Sequence, residues 1–273
     1  MNRSSALQNI PGTIVLAGAG KMGGAMLTGW LARGLAPGRI VVVEPAPSTE
    51  IGALAARGIR LNPQGAGAAD TLVIAVKPQS FREAGPALRS FTGPGTLVVS
   101  IMAGMTIASL QEVCGGAIVR AMPNTPAAIG RGITVAVPAS NVSAAQRTTA
   151  DALLSATGAV EWVEDEVLMD AVTAVSGSGP AYVFLLAEEL ARAGQAAGLP
   201  AELAGKLARE TVAGSGELLH RSELSPASLR QNVTSPGGTT AAALTVLTGE
   251  DGLQQLMRRA VAAATARSKQ LAK

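Results

Sequence analysis

Aromatic residues are nearly missing from this chain, at 2% of 273 residues, and it has one cysteine, Cys114, and one histidine, His220. A lone cysteine excludes an intramolecular disulfide, and with one histidine there is no cluster for a transition-metal site. Ser-His-Asp or Cys-His chemistry would have to use these two residues, and neither sits beside a matching motif. Both are read as structural. Charge is scarce as well: 15% of residues are charged, the net charge is +3, and no long basic run occurs. That argues against a nucleic-acid stripe and against a polybasic membrane patch, leaving a small-molecule partner as the expectation. No apolar run approaches the roughly 18 residues of a membrane span. The N-terminal apolar stretch is broken by Pro11, glycines and Lys21, with no cleavage-site pattern, so a cytoplasmic protein is the simplest reading.

What is present is apolar and small. Hydrophobic residues make up 48%, so helices packed closely through small side chains are expected, and the length suits two modest domains. Residues 13–17 read as a β-branched strand, followed by Gly18, Ala19, Gly20, Lys21, Met22 and Gly23, and then by a helical pattern through Leu31. Strand, glycine turn and helix with Gly-x-Gly-x-x-Gly spacing form a dinucleotide-binding signature. The first glycine makes the tight turn, the second admits the pyrophosphate and the third lets helix pack on strand. A second apolar strand, 40–43, ends in Glu44, about where an acidic residue meets the adenosine ribose. There Glu44 would accept hydrogen bonds from both ribose hydroxyls and repel a 2′-phosphate; a solvated strand-end charge is the alternative.

Further strands over 59–61, 71–76, 96–101, 117–121, 132–137 and 159–163 alternate with short helices, which predicts a parallel sheet covered on both faces. Ligands of such a sheet lie beyond the carboxyl ends of its strands. The segments there are 18–23, Glu44, the run Ala75, Val76, Lys77 and Pro78, the turn holding Ala103 and Gly104, and 122–126 with Asn124. All are rich in Gly, Pro or small polar residues, which suits backbone contact with a cofactor and would equally end a strand. After the acidic group Glu164, Asp165 and Glu166 the strand pattern stops. Helices are expected over 181–197, with Ser178 as cap and Pro180 early in the helix, and over 201–220, 226–233, 239–247 and 252–269. The expected division is a Rossmann-like dinucleotide-binding domain, 1–164, and an all-helical substrate-binding and dimerisation domain, 165–273. The helical half is too apolar to hide its helices alone, which points to a dimer interface, with a self-contained bundle as the alternative.

Residues 233–240, VTSPGGTT, read as a binding loop. The free amides at the start of the helix that follows favour an anion. Gly237 and Gly238 let the backbone approach a ligand, and Ser235, Thr239 and Thr240 offer hydroxyls, so a small carboxylate would fit. An ordinary helix cap made by serine and threonine is the local alternative.

GAGKMG at 18–23, AVKP at 75–78, RAMPNTP at 120–126, SGSGPAYVF from 176 and VTSPGGTT at 233–240 together resemble pyrroline-5-carboxylate reductase, the enzyme of the last step of proline synthesis. The resemblance spans nearly the whole chain in order. It implies α/β architecture with an N-terminal Rossmann domain, a homodimer interlocked through the helical domain, and a ring as large as a decamer of five dimers. It implies hydride transfer from NADPH or NADH to the imine carbon of 1-pyrroline-5-carboxylate, in a site composed of the sheet's carboxyl edge and the 235–240 loop. Glu166, Asn232, Thr239 and Thr240 match positions near the substrate in that family. On this resemblance the loop amides with Ser235 would bind the carboxylate, Thr240 would orient the ring nitrogen, and Glu166 would stabilise the iminium charge or order a water.

Two departures stand out. Relatives often have His-Pro ahead of the loop, where this chain has Ser225 and Pro226. NADPH-using relatives tend to have small polar residues at the end of the second strand and an asparagine before the fourth, where this chain has Glu44 and Gly65, which tilts the expectation towards NADH. A reductase of another cyclic imine or of a β-hydroxyacid is the nearest rival. A hydroxyacid enzyme should place a lysine at the head of its interdomain helix, and Ser178 and Gly179 stand there instead. A dinucleotide-binding regulator without turnover is the rival from another class.

Overall fold

Short runs of valine, isoleucine and leucine form the strands, because β-branched side chains suit a pleated surface buried on both faces. The computed structural model describes residues 7–271 except 9 and 66. Its strands are β1 (Ile14–Ala17), β2 (Ile40–Val43), β3 (Arg60–Leu61), β4 (Thr71–Ile74), β5 (Leu97–Ser100), β6 (Ala117–Met122), β7 (Gly132–Pro138) and β8 (Gly158–Trp162). They form one sheet in the order β3-β2-β1-β4-β5-β6-β7-β8. Successive side chains serve opposite faces. Ile14 and Leu16 pack with Ile40, Val42, Val73 and Val99 on one side, and Val15 and Ala17 pack with Val41, Leu72, Ile74 and Val98 on the other.

Helices α1 (Lys21–Ala32), α2 (Thr49–Ala53) and α5 (Ala144–Leu154) cover the first face through Met26, Leu27, Trp30, Ile51, Ala150 and Leu153. Helices α3 (Pro78–Arg89) and α4 (Ile107–Cys114) cover the second through Phe81, Leu88, Leu110 and Cys114. Both indole N–H groups end on α5: Trp30 donates to the Leu153 carbonyl at 2.8 Å and Trp162 to Asp151 Oδ1 at 2.9 Å.

The expected all-parallel sheet is corrected at one place, since β7 runs antiparallel to β6 while every other neighbouring pair is parallel. Between β6 and β7 lies only a 3-10 turn, Thr125–Ile129. A parallel return needs a crossover of about a dozen residues or more, so this short link makes the chain double back. Ser178 is a second correction. Its backbone is helical (φ −87°, ψ −23°) and its side chain caps nothing, because a short helix α6 (Met169–Val172) and a π turn over Thr173–Gly177 precede it.

The chain divides into two compact units: one ends at Gly177 and also takes the residues from Thr265 onward, and the other is Ser178–Ala264. The second unit holds α7 (Gly179–Ala196), α8 (Ala201–Arg221), α9 (Pro226–Asn232), α10 (Thr239–Leu247) and the start of α11 (Leu253–Leu271). Helices α7 and α8 approach through small residues, with buried Ala204 and Ala208, and a Cβ at Gly194 would already stand 3.4 Å from that of Ala204. The rest of α7 is unsatisfied. Val183, Phe184, Leu185 and Leu186 are consecutive, so they point all round the helix, yet they are 47–67% exposed. A helix that is apolar all round needs cover on more than one side. No helix among the described residues is long and apolar enough to cross a membrane.

Burial pushes the Cys114 thiol from its ordinary 9.0 up to about 11, with the positive charge of Arg89 pulling the other way. The thiolate is the reactive form, so native protein should resist iodoacetamide at mildly alkaline pH while the urea-unfolded chain reacts readily. Equal rates in the two states would show that the thiol is open to solvent. As pH rises the unfolded thiol ionises first, so this group's contribution to stability is complete below 9.0 and is lost between 9.0 and about 11.

Candidate active site

Strand β1 has β2 on one side and β4 on the other, so the order of the sheet reverses at its carboxyl end, where open α/β sheets bind their ligands. The glycine turn after β1 lies there, and its three glycines do different work. Gly18 has φ 90°, donates to the Val43 carbonyl at 2.8 Å, and a Cβ on it would lie 2.7 Å from the Ala75 carbonyl. A Cβ on Gly23 would lie 2.1 Å from the Gly18 oxygen, so the first turn of the helix rests on the turn after β1 through glycine backbone. Gly20 faces open space: among the described residues beyond its two chain neighbours, no atom lies within 4 Å of its would-be Cβ. The α1 N-terminus carries no side-chain cap and no acid in its first turn. Uncapped helical amides beside an open glycine are what a pyrophosphate requires. Ala19, Gly20 and Lys21 line one end of a cavity of about 680 Å³ along α1.

Glu44 follows β2 and turns back onto that loop. Its Oε2 accepts the Ala19 N–H at 2.8 Å and its Oε1 accepts the Ala46 N–H at 3.1 Å. Gly18, Ala19, Gly23, Glu44, Ala75 and Val76 are thus gathered at one edge. Lys77 precedes α3 without capping it. Pro78, Ala103 and Gly104 line a second cavity, also about 680 Å³, together with Arg82 and Glu112. Asn124 is held within the fold, where its Oδ1 accepts the Ile133 N–H at 3.0 Å at the entry to β7.

Glu166 heads the segment that leads into α6. Its Oε1 accepts from Arg120 Nη1 at 2.7 Å and from the first amide of α4, Ile107 N–H, at 2.8 Å. Arg120 is 5% exposed in the middle of the apolar strand β6, so an acidic partner is required there. Sequence reasoning quoted Arg120 inside a motif without giving it a role, although a lone arginine in an apolar strand signals a buried ion pair. Asn62 was missed altogether. Its side chain bonds both backbone groups of Glu44, eighteen residues away, a pairing that no spacing announces.

In the helical unit, the Gly238 N–H closes a turn onto the Ser235 carbonyl at 3.0 Å, with Pro236 and Gly237 (φ 71°) at its centre, as a Pro-Gly turn prefers. Helix α10 then starts from Gly238 in extended conformation, and no side chain caps it. The serine or threonine cap held open from the sequence is not formed. The first-turn amides have no side-chain acceptor among the described residues, which leaves a site suited to an anion. Asn232, Ser235 and Thr239 are exposed and Thr240 is half-buried.

Known proteins resemble both units. Residues 166–271 match the family described as pyrroline-5-carboxylate reductase dimerisation, and residues 13–104 match NADP oxidoreductase coenzyme F420-dependent. The pyrroline-5-carboxylate reductase of Pseudomonas aeruginosa is 40% identical over 264 residues, covering 95% of this chain and 96% of that protein. That of Synechocystis is 41% identical over 265 residues, covering 94% and 97%. A solved pyrroline-5-carboxylate reductase from Coxiella burnetii superposes with a TM-score of 0.85 at 35% identity, covering 96% of this chain and 99% of that one. A Plasmodium falciparum pyrroline carboxylate reductase with NADP bound gives 0.79 at 30% identity, covering 97% and 99%. With its glycine edge, its uncapped α10 loop and relatives matched along almost their whole length, the chain belongs to the pyrroline-5-carboxylate reductase family.

Proposed function

We propose that this chain reduces 1-pyrroline-5-carboxylate to L-proline, the last step of proline biosynthesis. The observation that carries the reading is the uncapped start of α10 behind the Ser235–Gly238 turn. It offers a carboxylate site in a chain whose other unit presents the open Gly20 edge. A bound nicotinamide dinucleotide supplies the hydride, which adds to the imine carbon while the ring nitrogen keeps a proton.

The amides around Gly237, Gly238 and Thr239, with the Ser235 hydroxyl, hold the substrate carboxylate, and Asn232 borders the same loop. Thr240 hydrogen-bonds the ring nitrogen. A threonine is too weak an acid to give a proton unaided, so it orients the ring or relays a proton from water. Glu166, fixed by Arg120 and the Ile107 amide, stabilises the cationic imine through a carboxylate that Arg120 partly neutralises, or orders that water. A protonated imine is already a good electrophile. The chain's remaining work is to align the reactants and exclude water, which accounts for several kcal/mol of barrier lowering, about 7 or more in the best-aligned cases.

Gly18, Ala19, Gly20, Lys21, Met22 and Gly23 would hold the dinucleotide's pyrophosphate, with Glu44 beside the adenosine ribose. The remaining strand ends, Ala75 to Pro78, Ala103, Gly104 and Asn124, complete the cofactor edge. A carboxylate at that place favours NADH, since it accepts from two ribose hydroxyls and repels a 2′-phosphate. The exposed apolar helices support a homodimer through the helical unit, and we extend this to a decamer of five dimers.

Purified protein mixed with pyrroline-5-carboxylate should oxidise NADH faster than NADPH, followed by loss of nicotinamide absorbance; cofactor binding without oxidation of either would sink the assignment. Thr240→Ala should lower turnover by about 10- to 100-fold, the effect of a lost positioning hydrogen bond, and wild-type rates would remove Thr240 from the mechanism. Beyond its chain neighbours, the methyl group of Gly20→Ala meets no atom of the described residues within 4 Å, so the melting temperature should stay at the wild-type value. Its cofactor dissociation constant should nevertheless rise at least about tenfold, because the methyl group takes the pyrophosphate's space. Unaltered affinity would place the dinucleotide elsewhere.

A further inference from the structure

We propose that Asn62 is a positioning residue for cofactor choice: it clasps the backbone of Glu44 and so fixes the carboxylate that meets the adenosine ribose. This rests on the reading of Glu44 given above. The Asn62 Oδ1 accepts the Glu44 N–H at 2.9 Å, and the Asn62 Nδ2 donates to the Glu44 carbonyl at 2.9 Å. These two backbone groups would ordinarily pair with a neighbouring strand. Strand β3 cannot provide it, since its last pairing is Leu61 with Val42 and its ladder ends when the Asn62 N–H donates to the Val42 carbonyl at 2.8 Å. The side-chain amide of Asn62 therefore replaces the missing strand, one residue beyond β2.

The position carries a cost that ordinary turns avoid. Asn62 has φ 46°, and among the described residues no other non-glycine has positive φ. Asparagine enters this region more readily than most residues, and when it does so for local reasons its side chain bonds to nearby backbone. Here both amide atoms reach eighteen residues back to one residue. The far end of Glu44 is fixed as well, by the Ala19 and Ala46 amides. Glu44 is thus held at its backbone by Asn62 and at its carboxylate by the glycine loop. A carboxylate free to swing away could yield to a 2′-phosphate, whereas one held at both ends cannot.

Asn62→Gly tests this cleanly, because glycine keeps the positive φ without strain and removes both bonds. Dissociation constants for NADH and NADPH are measured by cofactor fluorescence on the wild type, Asn62→Gly and Glu44→Ser, and amide hydrogen exchange is followed without cofactor. In Asn62→Gly the NADH-to-NADPH preference should fall about tenfold through weaker NADH binding, the size expected for two lost hydrogen bonds. Exchange at the Glu44 and Ala19 amides should quicken. A shifted preference in Glu44→Ser with none in Asn62→Gly, or equal weakening of both cofactors in Asn62→Gly, overturns the role of Asn62. An unshifted preference in Glu44→Ser instead overturns the reading of Glu44, and the clasp falls with it. Should Asn62→Gly fail to fold, Asn62→Ser, which adds no charge and is too short to bond both Glu44 groups, is read in the same way with a smaller shift.

Discussion

A single steric closure governs the first unit: helix α1 leaves strand β1 so tightly that the Gly23 backbone rests on the Gly18 carbonyl. Any Cβ there would sit 2.1 Å from that oxygen, while Gly18 itself is pressed against the Ala75 backbone of the adjacent strand. Because neither contact can give, the start of α1 is held at the sheet's switch point with its amides facing outward. Burial of Met26, Leu27 and Trp30 against the sheet keeps the helix in that place. The open side of Gly20, the bend of Glu44 onto Ala19 and the role of Asn62 behind it follow from where that turn lies. Chemistry at this edge is a property of backbone held in place by packing, which is why so few reactive side chains suffice.

The two units satisfy their surfaces differently. The sheet unit buries a core on each face and a small third cluster of Val135, Val137 and Met169, with its polar groups paired as far as Arg120 and Glu166. The helical unit leaves Phe184, Leu186, Leu190, Leu207 and Leu218 in water. Apolar area contributes about 25 cal/mol per Å² when it is removed from water. Long helices that hide only alanines from one another leave most of that contribution unrealised. The family's dimerisation domain is the corresponding feature of sequence.

Much of this was legible beforehand, for physical reasons. Short continuous apolar runs and glycine spacing are local properties, so the order of the strands along the chain, the turn at 18–23 and the bounds of α10 could be read directly. The antiparallel β7 was not read, because strand direction depends on how much chain is available for the return. That depended on recognising 125–129 as a 3-10 turn. The cap expected at Ser178 failed because a π turn continues the helix upstream, and backbone geometry of that kind has no residue signature. The clasp of Asn62 on Glu44 and the buried pair of Arg120 and Glu166 join residues far apart in sequence. Such contacts exist only after the sheet has brought two strand ends together. Asn124 shows the converse, a polar residue in a telling motif whose side-chain oxygen holds a strand of its own fold.

Both tryptophans, Trp30 and Trp162, belong to the sheet unit, and both anchor to α5. The helical unit has no indole and contributes Tyr182 and Phe184 as its aromatic residues. Indole emission accordingly reports the sheet unit alone, whereas far-ultraviolet circular dichroism reports the helices of both units. A change in ellipticity that leaves indole emission untouched therefore belongs to the helical unit, while one seen by both includes the sheet unit.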